Sequence, residues 1–321
     1  MGQYVASRFL QIIPTIFIIS FLVFGAMHLA PGDPATMLMG RAAAQNPEGL
    51  EQLRREMGLD KPIATQYFIW LGNALRGDFG NSNRSDLPVI ELIGGRLWAS
   101  LELVVVSLLI ALAVSMPLGI IAAVKHQTAY DSIIMTFAVA GVAIPGFWLG
   151  LTLILIFSVT FSWLPASGYV PFLEDPIENL RRVLMPAITL AVYLIATFTR
   201  FLRSDMLDVL NNDYVRTANA KGLNRRIVIL RHALPNALIP LLTVIGVEVG
   251  ALLGGIIIIE HVFGWSGIGW LTLQAVYNRD YPLVQGVVLL TTLFYTLMNF
   301  CVDVGYAFLN PRIREQYERA R

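Results

Sequence analysis

Six apolar stretches, each long enough to cross a lipid bilayer as a helix, divide this sequence of 321 residues. They cover residues 9–29, 101–124, 133–161, 184–202, 239–259 and 283–308. A hydrocarbon core about 30 Å thick requires roughly 20 apolar residues in a helix. Only 14% of the residues are charged, against about a quarter in a soluble domain. The sequence therefore predicts an all-α integral membrane protein with six transmembrane helices.

Lysine and arginine are unevenly distributed among the connections between these stretches. Twelve lie in the two termini and in the second and fourth loops: Arg8, Lys125, Arg203, Arg216, Lys221, Arg225, Arg226, Arg231, Arg312, Arg314, Arg319 and Arg321. The two short loops on the other side carry three, Arg181, Arg182 and Arg279. Because short cytoplasmic loops are enriched in basic residues, both termini are predicted to be cytoplasmic.

The long segment between the first and second stretches is predicted to be extracytoplasmic and partly helical. One helix is expected to begin at Asn46-Pro47-Glu48 and to end at Gly58, and a second to run from Pro62 to Gly77. Pro88 is expected to open a third helix that continues into the second span. The second helix carries an apolar stripe suited to lie against the membrane or other helices: Ile63, Tyr67, Trp70, Leu71 and Ala74.

Residue patterns for catalysis or for ATP binding are missing from the sequence. The chain has three lysines, which are followed by Pro62, His126 and Gly222, whereas a phosphate-binding P-loop needs serine or threonine after its lysine. None of the four histidines lies in an H-E-x-x-H arrangement. The charges nearly balance, with 23 Lys and Arg against 22 Asp and Glu, and do not indicate nucleic-acid binding. We expect a non-catalytic chain without a bound cofactor, and ATP-driven transport would need a separate ATPase.

The loop between the fourth and fifth spans is predicted to contain two short helices. Asn212 or Asp213 is expected to cap the first, and Gly222 to end it. Asn224 is expected to cap the second, and Pro235 to prevent its continuation. The loop's cations suit a protein partner that offers carboxylates or helix carbonyl ends. Charge alone equally fits a solvated basic loop that only sets the topology.

The spacing within this loop resembles the EAA loop of type I binding-protein-dependent ABC importer permeases. That loop has a small-residue triplet, a glycine and an I-x-L-P ending; the corresponding residues here are Arg216-Thr217-Ala218, Gly222 and His232-Ala233-Leu234-Pro235. The sequence departs from the pattern at the first acidic position and at the isoleucine. Further motifs similar to the peptide-permease branch of the family occur in order: Ile13-Pro14-Thr15, Pro31-Gly32-Asp33-Pro34, Gly77-Asp78-Phe79-Gly80, Ala122-Ala123-Val124-Lys125, Phe263-Gly264-Trp265-Ser266-Gly267-Ile268-Gly269, Arg279-Asp280-Tyr281-Pro282 and Asn310-Pro311-Arg312-Ile313-Arg314.

This resemblance implies the fold of such a permease and a set of partners in a bacterial or archaeal cytoplasmic membrane. The partners would be a second homologous permease, two cytoplasmic ATPases that hold ATP and magnesium, and an extracytoplasmic solute-binding protein. Three regions are implied: residues 1–98, a permease core 99–309 with a coupling loop at 203–238, and a cytoplasmic tail 310–321. The coupling residues would be Asp213, Tyr214, Arg216, Thr217, Ala218, Ala220, Lys221, Gly222, Arg226, Leu234 and Pro235.

The resemblance implies that the solute is a dipeptide or oligopeptide. Glutathione, nickel or another small solute handled by the same branch is the alternative within the family. An ion-coupled carrier is expected to show a line of paired intramembrane acids and bases, which the sequence lacks. A structural scaffold would not need the ordered loop motifs.

Glu248 is the carboxylate nearest the middle of a predicted span. A charge there costs at least about 2.5 kcal/mol unless it faces protein or water. Gly246, Gly250 and Gly254 form a small-residue face, and Glu248 lies roughly 200° around the helix from it. Two interpretations stay open: a pathway residue that contacts a peptide amine, or a carboxylate bonded to a neighbouring helix or to a partner permease.

Overall fold

The computed structural model describes residues 2–29, 34–39, 45–56 and 58–309, and within those ranges the regular structure is helical. Pro31-Gly32-Asp33 and the tail 310–321 lie outside the described residues. In chain order the helices are α1 (Gly2–Leu29), α2 (Pro34–Met39), α3 (Pro47–Glu56), α4 (Ile63–Ala74), α5 (Val89–Val124), α6 (Ala129–Ala143), α7 (Gly146–Leu153), α8 (Pro176–Leu210), α9 (Asp213–Ala220), α10 (Arg225–Ile227), α11 (Leu234–Val262), α12 (Ile268–Tyr277) and α13 (Tyr281–Leu309). Two π-helical segments, Ile154–Thr160 and Val228–Ala233, extend α7 and join α10 to α11.

Five helical segments of the described chain are each long and apolar enough to cross a membrane alone. They are Val5–Leu29, Val89–Val124, Pro176–Leu210, Arg225–Leu252 and Tyr281–Phe300. A sixth crossing is formed only if the pair Ala129–Ala143 and Gly146–Thr160, which is bent by 99°, counts as one span. The all-helical membrane fold is confirmed, and the third apolar stretch, 133–161, is divided into two helices. Pro145 explains the break, because a proline ring excludes the residue before it from helical geometry and Ile144 has an extended ψ of 122°.

Helix α8 is the centre of the bundle. It packs against α5, α6, α7 and α11. In its most apolar stretch of 18 residues, 67% is buried inside the protein, whereas the corresponding share in α1 is 17%. Small residues on its neighbours permit this approach: a Cβ added to Gly119 of α5 would lie 2.9 Å from the Cβ of Leu202, and one added to Gly141 of α6 would lie 3.1 Å from the Cβ of Ala196. Such close contacts are the usual source of helix association in lipid, where apolar surface alone gives no driving force.

The segment before α5 has the helices that its sequence predicts. The Asn46 side chain accepts a hydrogen bond of 2.9 Å from the backbone N–H of Gly49 at the start of α3. Gly58 and Gly77 have positive φ angles of 67° and 86°, and each follows the end of a helix. Tyr67 of α4 is buried, and its hydroxyl shares a hydrogen bond of 2.8 Å with Ser20 of α1. One side of α4 therefore packs on the first span.

A buried carboxylate joins α11, α12 and α5 at the end of the bundle that carries α4. Glu260 has no exposed surface; its Oε1 accepts a hydrogen bond from Ser100 Oγ, and its Oε2 accepts one of 2.9 Å from the N–H of Trp270. Ser100 Oγ also accepts a bond of 2.8 Å from the N–H of Ile268. The indole N–H of Trp265 donates to the carbonyl of Ala99 at 2.8 Å. The Phe263 to Gly269 motif therefore folds around the Glu260 carboxylate.

We expect Gly269→Ala to destabilise the protein, because an added Cβ would lie 2.6 Å from the Cα of Ile257, a backbone atom that cannot rotate away. Overpacking of this kind costs about 1–3 kcal/mol. Thermal unfolding in detergent measures the effect. Gly72→Ala is the matched control, since a Cβ at Gly72 meets nothing within 4 Å. Equal melting temperatures for the two variants would contradict the close packing described here.

Candidate functional site

Helix α9 is held against the bundle by a small apolar contact. Val215 and Ala218 on its inner side are buried and pack with Val228 of the following π segment. Val209 and Leu210 at the end of α8 complete this cluster. The remaining faces of α9 are left open, so the helix lies on the surface with a fixed orientation.

The open face of α9 and of the turn after it carries cations and one aromatic ring. Tyr214 is 44% exposed, and Arg216 and Asp213 form an exposed ion pair of 3.7 Å, which contributes little stability. The other exposed residues of the predicted coupling set on this surface are Thr217, Ala220, Lys221, Gly222 and Arg226. Most of the predicted coupling residues thus share one accessible surface. Ala218 is the exception on α9, because it is buried in the apolar contact that holds the helix against the bundle.

The turn between α9 and α10 depends on Gly222 and Asn224. Gly222 has a φ of 75°, in the left-handed region that favours glycine, and its N–H donates to the carbonyl of Asn219 at 3.0 Å. The Asn224 side chain accepts a bond of 2.9 Å from the N–H of Arg226 and so caps α10 as predicted. Asn212 occupies the corresponding position before α9, but its side chain accepts no capping hydrogen bond.

The prediction that Pro235 ends the second short helix is wrong. Helix α10 continues through the π-helical residues Val228–Ala233 into α11, and Pro235 lies in the first turn of α11. A proline has no N–H to donate and its ring clashes with the carbonyl four residues earlier. The wider π turn ahead of it provides the local adjustment that lets the helix continue. On this continuous helix, Leu234 packs against the hydrophobic core around α8, and Pro235 is exposed.

An ion pair fixes the neighbouring turn to α8 at the end of the bundle that carries α9. Arg203 of α8 makes two bonds to the Asp131 carboxylate of α6, at 2.6 Å from Nε and 2.8 Å from Nη2. The same carboxylate accepts from the N–H of Gln127 at 3.1 Å and lies 3.1 Å from His126 Nδ1. The sequence places Arg203 among the loop cations and gives no role to Asp131. Its position near the start of α6 signals a cap, but nothing local indicates a partner 72 residues away.

Glu248 lies half-buried in α11, beside α8. Tyr193 of α8 is a neighbour of this carboxylate and is 44% exposed. On the glycine face, a Cβ at Gly250 would lie 2.7 Å from the Tyr295 ring of α13, whereas one at Gly254 would meet nothing within 4 Å. Since a carboxylate facing lipid is costly, the partly open side of this pair must meet protein or water.

The fold is shared with a solved ABC importer. The structural model matches a chain of the MetNI methionine ABC transporter, solved in inward-facing conformations, with a TM-score of 0.58 and 16% identity over 69% of this chain and 97% of that chain. At this identity the likeness concerns the fold alone. The helical bundle therefore has the fold of that transporter chain.

Family membership follows from the sequence comparisons. Residues 115–315 match the family described as binding-protein-dependent transport system inner membrane component, and residues 1–116 match its N-terminal membrane component family. The chain therefore belongs to the binding-protein-dependent ABC importer permeases, and the predicted resemblance is confirmed. It is a multi-pass membrane permease of an ABC importer.

Relatives match along the full length. The glutathione transport system permease protein GsiC of Escherichia coli strain K12 is 42% identical over 314 residues, which are 98% of this chain and 99% of the relative. The protein of the same name from Shigella flexneri serotype 5b has the same identity and coverage.

Proposed function

We propose that this chain forms half of a translocation pathway for short peptides, glutathione among them, in an ATP-driven importer. The full-length identity of 42% to glutathione transport permeases is the observation that carries this proposal. Glutathione is itself a short peptide, so the relatives' name and the peptide-branch motifs point to one class of solute. Nickel has no comparable support, since no group of three potential metal ligands lies together in the described ranges.

We further propose that α9 is the helix that receives the movement of an ATPase. Its inner side is fixed by Val215 and Ala218, while its open face offers Tyr214, Arg216 and Lys221 to a partner. A helix held in this way transmits displacement as a rigid body. ATP and magnesium would bind to two separate ATPase subunits, because this chain has neither a P-loop nor a catalytic motif. A second permease and a solute-binding protein would complete the assembly.

The topology that this role requires places both termini in the cytoplasm. If the bent pair α6 and α7 crosses the membrane once, the chain has six crossings and its ends share one side. The twelve basic residues of the termini and of the second and fourth loops support that side as the cytoplasmic one. Helix α9 then faces the compartment that contains ATP.

Purification of the tagged chain from its native membrane tests the assembly. We expect four further polypeptides in stoichiometric amounts: a homologous permease, two ATPase subunits carrying P-loops and, in the presence of solute, a binding protein. A control purification from cells that lack the tag identifies contaminants. A homodimer that takes up solute in response to a proton gradient would instead assign the chain to the ion-coupled carriers.

Gly222→Ile is expected to lower uptake and solute-stimulated ATP hydrolysis while leaving membrane insertion intact. A β-branched residue at a φ of 75° costs about 1–2 kcal/mol, and a Cβ there meets nothing within 4 Å, so the effect comes from the backbone. Gly222→Asn is the matched control, because asparagine tolerates the left-handed region. We expect the asparagine variant to retain most of its activity. Full uptake by the isoleucine variant would refute the coupling role of this turn.

Glu248→Gln is expected to reduce the preference for peptides with a free amine over their N-acetylated forms. The neutral amide keeps the size of the side chain but loses the charge that would attract an ammonium group. The measurement is competitive uptake of the two peptide forms. Tyr193→Phe removes the neighbouring hydroxyl and leaves the carboxylate, so it should preserve the preference. If the ratio of uptake stays at its wild-type value in Glu248→Gln, Glu248 serves packing alone.

A further inference from the structure

A cavity of about 600 Å³ opens at the end of the bundle that carries α4, away from α9. It lies between the loop before α5, the first turns of α5, the end of α12 and the start of α13. Its polar lining consists chiefly of Arg84, Arg96, Gln274, Tyr277, Asn278 and Asp280. Neither the coupling role of α9 nor the position of Glu248 accounts for this group of residues.

Asp280 is the acidic residue of this lining, and both of its carboxylate oxygens already accept hydrogen bonds from adjoining loops. It is buried, its Oδ2 accepts a hydrogen bond from Ser82 Oγ, and its Oδ1 accepts from the N–H of Asn83 at 3.1 Å and of Leu283 at 3.4 Å. The carboxylate thus joins the loop before α5 to the start of α13. Its hydrogen-bond donors come from these loops, and neither arginine of the lining is among them.

The two arginines of the cavity have no carboxylate within 4.0 Å in the described part of the chain. Arg84 donates from Nη1 to Asn278 Oδ1. Arg96 is half-buried, and its hydrogen bond to the carbonyl of Ser266 is long, at 3.4 Å. A guanidinium has five N–H donors, so most of those on Arg96 lack a protein acceptor. These remaining donors border the cavity and are free to bind an anion that enters it.

The lining residues suit a carboxylate next to a peptide bond better than a lipid phosphate. The planar fork of a guanidinium matches a carboxylate with two parallel hydrogen bonds. Gln274 and Asn278 add side-chain amides, which pair with the N–H and C=O groups of a peptide bond. A lipid phosphate diester would use the arginines but offers no peptide group to these amides.

We propose that the cavity between Arg84 and Arg96 binds the carboxylate of the transported peptide on the side opposite α9. This inference rests on the proposed function, since it assigns to the importer a contact for its solute. Arg96 binds the carboxylate, Arg84 adds charge at the rim, and the amides of Gln274 and Asn278 accept and donate to the adjoining peptide bond.

The complete transporter, reconstituted in phosphatidylcholine nanodiscs with its binding protein, allows a test that is separate from transport. Phenylglyoxal modifies accessible arginines, and mass spectrometry follows the rate at Arg96. The probes are alanyl-alanine and alanyl-alaninamide, which differ in the carboxylate. We expect the acid, and not the amide, to slow modification of Arg96 several-fold. Arg279, which is exposed near the cavity but does not line it, should react at the same rate throughout.

Uptake measurements with variants complete the test. We expect Arg96→Gln to raise the KM for alanyl-alanine at least about tenfold, the loss expected for even one of its two charge-assisted hydrogen bonds, and to reduce the preference for acid over amide. Arg96→Lys should recover part of that preference, and Arg84→Gln should show a smaller loss. Arg279→Gln is the matched control and should behave as wild type.

Several results would overturn the proposal. One is equal protection of Arg96 by acid and amide. Another is protection that needs phosphatidylglycerol in the nanodisc, which assigns the cavity to a lipid phosphate. A third is full protection by the binding protein without peptide, which makes the cavity a protein contact. Acid-specific protection in a transporter that imports no peptide would refute the proposed solute and keep the site, whereas peptide uptake without such protection would refute the site alone.

Discussion

The close packing of α5, α6 and α11 around α8 organises this membrane protein. Lipid tails are as apolar as leucine, so the helices gain from contact only where small residues bring their backbones together. Gly119 against Leu202 and Gly141 against Ala196 provide two such contacts. The pair of Asp131 and Arg203 then fixes the turn before α6 to α8 at one end. With α8 fixed on several sides, its last residues form a stable base for α9.

Two buried carboxylates have a related role at the opposite end. Glu260 joins α11, α12 and α5, and Asp280 joins the loop before α5 to α13. Both are satisfied by hydroxyl groups and backbone N–H groups of neighbouring helices and loops, which allows a carboxyl group to be buried without a cation partner. Because Asp280 already accepts hydrogen bonds from Ser82 and Asn83, it does not pair with Arg84 or Arg96, and both arginines can bind an anion in the cavity.

Local sequence signals predicted the helices well where a turn or cap determines them. Gly58, Gly77 and Gly222 all adopt the positive φ that their positions as helix ends suggest, and Asn46 and Asn224 cap as expected. The continuous helix through Pro235 shows the limit of the same signals. A proline breaks a helix in one place and is accommodated in another, and at Pro235 the backbone ahead of the ring widens into a π turn.

One of the two candidate sites could be predicted from the sequence, and the other could not. The surface of α9 follows from spacing along the chain, since its residues are consecutive. The contacts of Asp131 with Arg203, of Ser100 with Glu260 and of Ser82 with Asp280 join residues separated by 72, 160 and 198 positions. Periodicity and composition carry no information about such pairs. They arise only when the helices have packed, and the arginine cavity depends on them.

The π turn before Pro235 has one more consequence. Because it keeps α10 and α11 in one uninterrupted helix, residues 225–262 follow a single helical path of at most about 57 Å at 1.5 Å per residue. One end lies next to the turn at Gly222, and the other holds Glu260 among the loops beside the cavity. The surface of α9 and the loops beside the cavity are thus joined by one continuous helix that packs on α8.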